Sequence, residues 1–93
     1  FPPEGTITTE RQADLQLIGI GRPAKRNGFT PRMFRELGEA YTLLDDDPAL
    51  RVGVLFGHGG HFTAGLDLPT IAPFMQRGEK LVKPGDVEPT DLG

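Results

Sequence analysis

The chain has 93 residues and a formal net charge of −3, from 10 Lys and Arg against 13 Asp and Glu. This slight acidic excess argues against a nucleic-acid-binding protein, which presents a face rich in lysine and arginine. The chain has no cysteine, which excludes disulfides and thiolate metal sites, and no apolar run reaches the ~18 residues of a membrane-spanning helix. No signal-peptide pattern is visible, so we expect a cytoplasmic protein.

Thirteen glycines and nine prolines are many for a self-contained domain of this length. Such a short chain buries a modest fraction of its surface, and no disulfide compensates for this. The chain also begins with Phe1 rather than Met. We therefore expect these residues to belong to a larger fold.

The first two predicted elements form a β-hairpin. Residues 5–11 are rich in β-branched side chains and predict a strand. Residues 12–14 predict a turn. A second strand is marked by apolar residues at Leu15, Leu17, Ile18 and Ile20. It ends at residues 21–23, because proline cannot donate to a central ladder.

A loop and a helix follow. Residues 24–29 are polar and contain the turn-favouring pair Asn27-Gly28, in which Asn27 is expected to bond its own backbone. Thr30 fits a helix N-cap, with Pro31 at the first helical position. Apolar residues spaced by three and four then predict an amphipathic helix over 32–44; they are Met33, Phe34, Leu37, Ala40, Tyr41 and Leu44. Residues 45–47 are three aspartates, which oppose the helix macrodipole and are expected to begin the next turn.

The second half of the chain predicts one strand and a weak helix. Residues 51–56 form a nearly continuous apolar run, typical of a buried strand in a mainly parallel sheet. The order strand, strand, helix, strand indicates an α/β fold. After a glycine-rich stretch, residues 69–81 are weakly helical. Residues 83–93 lack periodicity, and we expect a mobile loop within 76–93.

The glycine-rich stretch 57–67 is the first candidate site. Ligands of α/β folds lie at the carboxyl ends of such strands, and successive backbone N–H groups there can face a negative oxygen. The simpler alternative is a plain turn. His58 and His61 have no third ligand nearby and are expected to be exposed or locally hydrogen-bonded rather than metal-bound. Asp67 is either a general base or, more simply, a cap of the next helix.

Lys25 and Arg26 are the second candidate site. Two adjacent cations beside a turn can hold a phosphate electrostatically. The alternative is a solvated loop carrying two surface charges.

Taken together, these segments resemble the first third of the enoyl-CoA hydratase (crotonase) family. Residues 20–30 are similar to a family segment of the form Asn-Arg-Pro-x-x-x-Asn-Ala, and residues 62–68 are similar to Phe-x-x-Gly-x-Asp-Leu/Ile. A helix and a strand lie between them, as in the family, and the resemblance extends over residues 5–75. Gly21 stands where the family usually has Asn, and Gly28 where it has Ala; both loosen the loop.

The resemblance implies a crotonase-like spiral of strand-strand-helix units, of which residues 1–93 are the N-terminal portion of one domain. It also implies a homotrimer or hexamer that binds an acyl-CoA thioester. Coenzyme A is then part of the substrate, and neither a separate cofactor nor a metal is expected. No nucleic-acid or membrane partner is expected.

Enzymes of this family stabilise a thioester enolate with two backbone N–H groups, and rigid donors aimed at developing charge are a large catalytic term. The resemblance assigns the first donor to the N–H of Leu66, with Gly65 permitting the turn before it. It places Ala64, Asp67 and Leu68 beside the adenine and pantetheine of coenzyme A. Lys25 or Arg26 would meet the phosphates.

In the family, the second donor and the catalytic glutamates lie later in the chain than Gly93. Residues 1–93 alone are therefore not expected to catalyse. Reversible hydration of a trans-2-enoyl-CoA is the preferred reaction, because it is the commonest in the family. The alternatives are another acyl-CoA reaction on the same fold (isomerisation, thioester hydrolysis, decarboxylation or dehalogenation), a non-catalytic acyl-CoA-binding homologue, or an unrelated α/β binding module.

Overall fold

The computed structural model describes residues 1–78 and 85–86, apart from the side chain of Met75. In chain order its elements are β1 (Thr6–Gln12), β2 (Leu15–Gly21), a 3₁₀ helix (Pro23–Lys25), α1 (Pro31–Asp46), β3 (Val52–Gly57) and α2 (Leu68–Gln76). Neither α-helix in this part of the chain has the length and apolar character that a membrane crossing requires.

The three strands form one sheet in the order β1-β2-β3. β1 and β2 pair as an antiparallel hairpin, with Gln12 opposite Leu15 at the turn. β3 pairs with β2 in parallel, so that Ile20 lies opposite Gly57. The predicted hairpin and the predicted parallel pairing are both confirmed.

α1 covers one face of this sheet. The hydroxyl of Thr30 accepts a hydrogen bond from the Met33 N–H at 3.3 Å, and Pro31 is the first helical residue, as predicted. The apolar stripe of the helix packs against β2 and forms the core, which consists of Ile18, Ile20, Phe29, Met33, Phe34, Leu37 and Ala40. The predicted helix and its buried face are therefore confirmed.

The C-terminal end of α1 differs from the prediction. Asp45 and Asp46 belong to the helix, so the expectation that these acids begin the next turn is wrong for both of them. It is confirmed for the C-cap Asp47, whose carbonyl accepts from the Leu50 N–H at 3.1 Å. Asp45 and Asp46 are exposed, and water screens their repulsion with the helix macrodipole. Asp47 instead pairs with Arg11 at 3.1 Å.

β3 is less buried than predicted. Val52 and Val54 are 48% and 41% exposed, because β3 is an edge strand of the sheet that the described residues form. A strand is fully buried only when it has a neighbouring strand on each side and its two faces are covered. Within the described residues, only β2 pairs with β3. The prediction of a buried strand is therefore wrong for these residues.

The last helix is shorter than predicted. α2 begins at Leu68 and ends at Gln76, with Pro73 inside it, whereas the sequence pattern predicted residues 69–81. Gln76, the first residue of the expected mobile loop, is helical. Of the other residues in that loop, only 77–78 and 85–86 are described, and the rest of that prediction lies outside the described residues.

Glu36 links α1 to β1. Its Oε1 accepts hydrogen bonds from the Thr6 hydroxyl at 2.8 Å and from the Ile7 N–H at 3.0 Å, and Arg32 donates to its Oε2. Burial alone raises the pKa of Glu36, but these bonds favour the carboxylate and together outweigh burial, so the pKa lies below its ordinary value of 4.5. The ionised carboxylate therefore holds the helix on the edge strand.

Candidate functional site

The candidate site lies where two loops meet, which we call the loop junction. It consists of residues 22–30, which follow β2, and residues 57–67, which begin at the end of β3. Because β2 and β3 are parallel and in register, with Ile20 opposite Gly57, both loops leave the sheet at the same edge. This is the edge at which α/β folds place their ligands.

Asn27 connects the two loops. Its side chain is fully buried, and its amide nitrogen donates to three carbonyl oxygens of the other loop, those of His58, His61 and Phe62, at 2.9, 2.7 and 3.2 Å. Its side-chain oxygen accepts from the Arg22 N–H at 2.8 Å. The sequence predicted that Asn27 bonds its own backbone. The structure instead shows a bond to the backbone of Arg22, five residues earlier, and three bonds across the junction.

Further bonds hold the same two segments together. The hydroxyl of Thr63 donates to the carbonyl of Asn27 at 2.6 Å, and the Ala64 N–H donates to the carbonyl of Arg26 at 3.0 Å. Gly57 allows the second loop to fold back on itself, because a Cβ there would lie 2.6 Å from the carbonyl oxygen of Phe62. The loop junction is therefore held by directional polar bonds.

The orientation of the Leu66 amide follows from its neighbours. Phe29 and Leu66 form a parallel bridge, in which the Phe29 N–H donates to the Gly65 carbonyl at 2.7 Å and the Asp67 N–H donates to the Phe29 carbonyl at 2.8 Å. The Gly65–Leu66 peptide is trans, so its N–H points opposite to its C=O. The Leu66 N–H is thus directed away from Phe29, and it has no acceptor among the described residues.

Gly65 makes this arrangement possible. Its φ is +95°, a conformation that glycine adopts without the steric penalty of other residues. The structure thus shows why a glycine suits this position, whereas the part of Gly65 in the site stays a prediction.

Arg22 is buried beside this bridge and was not identified as a site residue from the sequence. Its Nη1 donates to Asp67 Oδ2 at 2.6 Å and to the Gly28 carbonyl at 3.2 Å, while its Nε donates to the Pro3 carbonyl at 3.0 Å. Asp67 directly precedes α2, as the cap prediction required, and its carbonyl accepts from the Ile71 N–H at 3.0 Å. Its carboxylate, however, is paired with Arg22.

A groove of about 460 Å³ opens at the loop junction. It is lined by Arg22, Lys25, Gly28, Ala64, Leu66, Asp67, Pro69 and Thr70. Four of the predicted site residues, Lys25, Ala64, Leu66 and Asp67, are therefore brought together. Arg26, Gly65 and Leu68 do not line the groove, although they are adjacent to it in the chain, and Arg26 and Leu68 are exposed.

The two histidines have different surroundings. His58 Nε2 lies 2.8 Å from the Thr8 hydroxyl, and its ring contacts those of Phe1 and Phe56. His61 is exposed. Within the described residues, no group of three or more His, Cys, Asp and Glu side chains is placed to hold a metal ion. The expected exposure of His61 is confirmed, whereas the hydrogen-bond partner of His58, Thr8, lies 50 residues away in the chain and is not local.

Arg22 and Asn27 were not assigned to the site from the sequence, although the sequence contains part of the information needed to find them. Arg22 and Asn27 both lie within the segment that suggested the family, yet nothing in the one-dimensional pattern showed that their partners lie 45 and 31 to 35 residues away. These residues reach their partners only when the two loops pack against each other in the folded chain.

Comparisons with known proteins bear on the family and the fold of the chain. The family model described as enoyl-CoA hydratase/isomerase matches residues 10–89. Enoyl-CoA hydratase EchA19 of Mycobacterium tuberculosis is 39% identical over 59 residues, which are 63% of this chain and 22% of that protein. The mitochondrial Delta(3,5)-Delta(2,4)-dienoyl-CoA isomerase of Rattus norvegicus is 32% identical over 83 residues, 89% of this chain and 24% of that protein.

A solved structure is similar over nearly the whole chain. The crystal structure of a probable enoyl-CoA hydratase/isomerase from Mycobacterium abscessus matches with a TM-score of 0.88 and 40% identity, covering 94% of this chain and 34% of that one. This match confirms the crotonase-type fold. The chain thus spans about a quarter of the length of the curated relatives. With the family model matched over most of the chain and the fold shared with a solved member, the alternative of an unrelated binding module is excluded, and the chain belongs to the enoyl-CoA hydratase/isomerase family.

Proposed function

We propose that the full-length protein catalyses the reversible hydration of a trans-2-enoyl-CoA, with the Leu66 N–H as one donor of its oxyanion hole. The observation that carries this proposal is the Leu66 amide, which lies at the groove without an acceptor among the described residues. Leu66 is 49% exposed, so a ligand can reach it from the groove, and a ligand oxygen can accept from its N–H.

The proposed chemistry uses this donor as negative charge develops. Water adds to C3 of the enoyl chain, and the electrons of the double bond move toward the thioester, whose oxygen becomes negative. Protonation at C2 then gives the 3-hydroxyacyl-CoA. A fixed N–H already points at the oxygen and does not have to reorient when the charge forms, so it lowers the activation barrier of the reaction. The second donor and the glutamates that handle water and proton are expected beyond Gly93.

The groove also supports the coenzyme A part of the proposal. Lys25 lies on it together with Ala64, Leu66 and Asp67, so a cation stands at one side of a groove that leads to the Leu66 amide. We propose that Lys25, with the exposed Arg26 beside it, faces the phosphates of coenzyme A. No cofactor besides the substrate's own coenzyme A is proposed. A trimeric or hexameric assembly and a cytoplasmic location remain predictions.

Substitution of Leu66 tests the donor. In the full-length protein, Leu66→Pro removes the N–H, and the loss of one oxyanion donor should lower kcat by about 100-fold to 1000-fold. Turnover is measured as the disappearance of the conjugated enoyl thioester and the gain of one water by mass spectrometry. Leu66→Ala keeps the amide and should lose far less activity. If Leu66→Pro is folded and turns over like Leu66→Ala, the donor assignment is wrong.

Neutralisation of the two cations tests the phosphate contact. Lys25→Gln with Arg26→Gln should raise the Kd for coenzyme A and flatten its dependence on salt, because ionic contacts are screened. The matched control is Arg35→Gln with Arg51→Gln, which removes the same charge at exposed positions that do not line the groove. Equal Kd values in the two double variants would rule out the proposed contact.

Isomerisation is the second candidate reaction. The rat dienoyl-CoA isomerase matches a longer stretch of this chain than the mycobacterial hydratase does, 83 residues against 59. Isomerisation passes through a similar thioester enolate and can use the same donor, but it leaves the mass of the substrate unchanged. Acyl-CoA binding without any conversion would instead indicate a non-catalytic homologue.

A further inference from the structure

The Phe29–Leu66 bridge is short for an element that must orient a catalytic amide. It consists of two hydrogen bonds. Gly65 lies immediately before the Leu66 amide. Apart from Gly65 and its two chain neighbours, no atom lies within 4 Å of the position that a Cβ on Gly65 would occupy, so the space on this side of the bridge is open.

Arg22 supplies contacts on both sides of the bridge. Its Nη1 donates to the carbonyl of Gly28, which precedes Phe29, and to the carboxylate of Asp67, which follows Leu66. One guanidinium nitrogen thus connects the two chain segments that the bridge joins. The distance to Asp67 Oδ2 is 2.6 Å, typical of a strong charge-assisted hydrogen bond.

The environment of the pair makes this connection rigid. The Arg22 side chain is 10% exposed and that of Asp67 is 22% exposed, so solvent screens their attraction less than it would at the surface. The Nε of Arg22 is held separately by the carbonyl of Pro3, which leaves the guanidinium plane little freedom to rotate.

We infer that Arg22 and Asp67 are a positioning pair that sets the direction of the Leu66 N–H toward the thioester oxygen. This inference rests on the proposed role of the Leu66 amide. It gives Asp67 a task different from the contact with coenzyme A that the family resemblance implies. Loss of either partner frees the bridge to shift, and a displacement of about 1 Å can cost as much as 100-fold in rate.

The test uses Asp67→Asn and Arg22→Gln, alone and together, in the full-length protein. Each single variant should lower kcat by about 10-fold, which is less than removal of the donor itself. The double variant should lose little more than either single one, because the two residues act as a unit. The Kd for acyl-CoA should stay unchanged, and the infrared carbonyl band of the bound thioester should show a weaker shift from its position in water.

Asp47→Asn is the matched control, because Arg11 and Asp47 form an arginine–aspartate pair at 3.1 Å that is more exposed than Arg22–Asp67 and lies outside the loop junction. It should leave kcat and the infrared band unchanged. Asp67→Asn keeps the shape of the side chain and serves as the informative variant if Arg22→Gln does not fold.

Three results would overturn the inference. In the first, Asp67→Asn raises the Kd for acyl-CoA while kcat and the carbonyl band are preserved, which indicates direct contact with coenzyme A. In the second, kcat and the carbonyl band in the Asp67 and Arg22 variants match those in Asp47→Asn; if Leu66→Pro then lowers kcat by about 100-fold or more, the inference fails while the proposed function stands. In the third, Leu66→Pro retains turnover, and the inference fails together with the donor assignment.

Discussion

The core under α1 and the loop junction are held together in different ways. The core consists of apolar side chains such as Ile18, Met33 and Leu37, which are nearly or completely buried. The loop junction is held by polar groups, above all Asn27 and Arg22, whose bonds reach across to the second loop. Burial of apolar surface is non-directional, whereas a hydrogen bond weakens steeply when its angle changes.

This difference matches what each region must do. The core has to keep the hairpin and α1 together, and many arrangements of apolar side chains achieve that. The loop junction has to present one backbone amide in one direction, which only directional contacts can specify. Changes in the core should therefore affect stability first, and changes at the loop junction should affect turnover first.

The largest loss of stability is expected from Met33→Ala. Met33 is completely buried in the core, and truncation of such a side chain costs about 2–5 kcal/mol through lost burial and the cavity left behind. The free energy of unfolding of the full-length protein, measured with urea, should fall by this amount. The kcat of the molecules that remain folded should not change. A lower kcat at an unchanged folded fraction would contradict the expectation that changes in the core affect stability and not turnover.

Asn27→Gly is expected to have a smaller effect on stability and a larger one on turnover. Glycine adopts the φ of +57° found at this position without strain, so the variant isolates the loss of the side-chain bonds. Leaving buried polar groups without partners costs about 1–3 kcal/mol. Hydrogen exchange at residues 57–66 should rise and kcat should fall. If exchange there stays at the level of the wild type, the side chain of Asn27 does not hold the loop.

The smallest effect is expected from the titration of Glu36. The pKa of this carboxyl is lowered in the folded state from its ordinary 4.5, so the stability that it contributes is present above the unfolded pKa and is lost as the pH falls through the folded pKa. The free energy of unfolding, measured from neutral pH to below 4.5, should fall less steeply in Glu36→Gln. The control is Glu10→Gln, at an exposed position on β1, which should follow the wild-type curve.

The sequence alone predicted the elements whose causes are local. A hydroxyl N-cap followed by proline, and apolar residues at a helical spacing, predicted α1 and its buried face. β-branched and apolar residues on either side of a predicted turn predicted the hairpin. Two predictions were wrong because the outcome depends on the surroundings of the residue in the folded chain. The exposure of Val54 depends on which strands pair with β3. The helical conformation of Asp46 is tolerated because its carboxylate is exposed to water.

For the site, the residue pattern and its resemblance to a known family predicted Lys25, Ala64, Leu66 and Asp67, and the structure places these four on one groove. The same resemblance predicted Gly65, whose φ of +95° is one that glycine adopts without steric penalty. These properties depend on the order and type of residues along the chain. The tertiary structure alone decided that Arg22 pairs with Asp67 and that Asn27 holds the loop of His58, because hydrogen bonds between segments far apart in the chain depend on distances and angles that exist only once both loops meet at the end of the parallel strands.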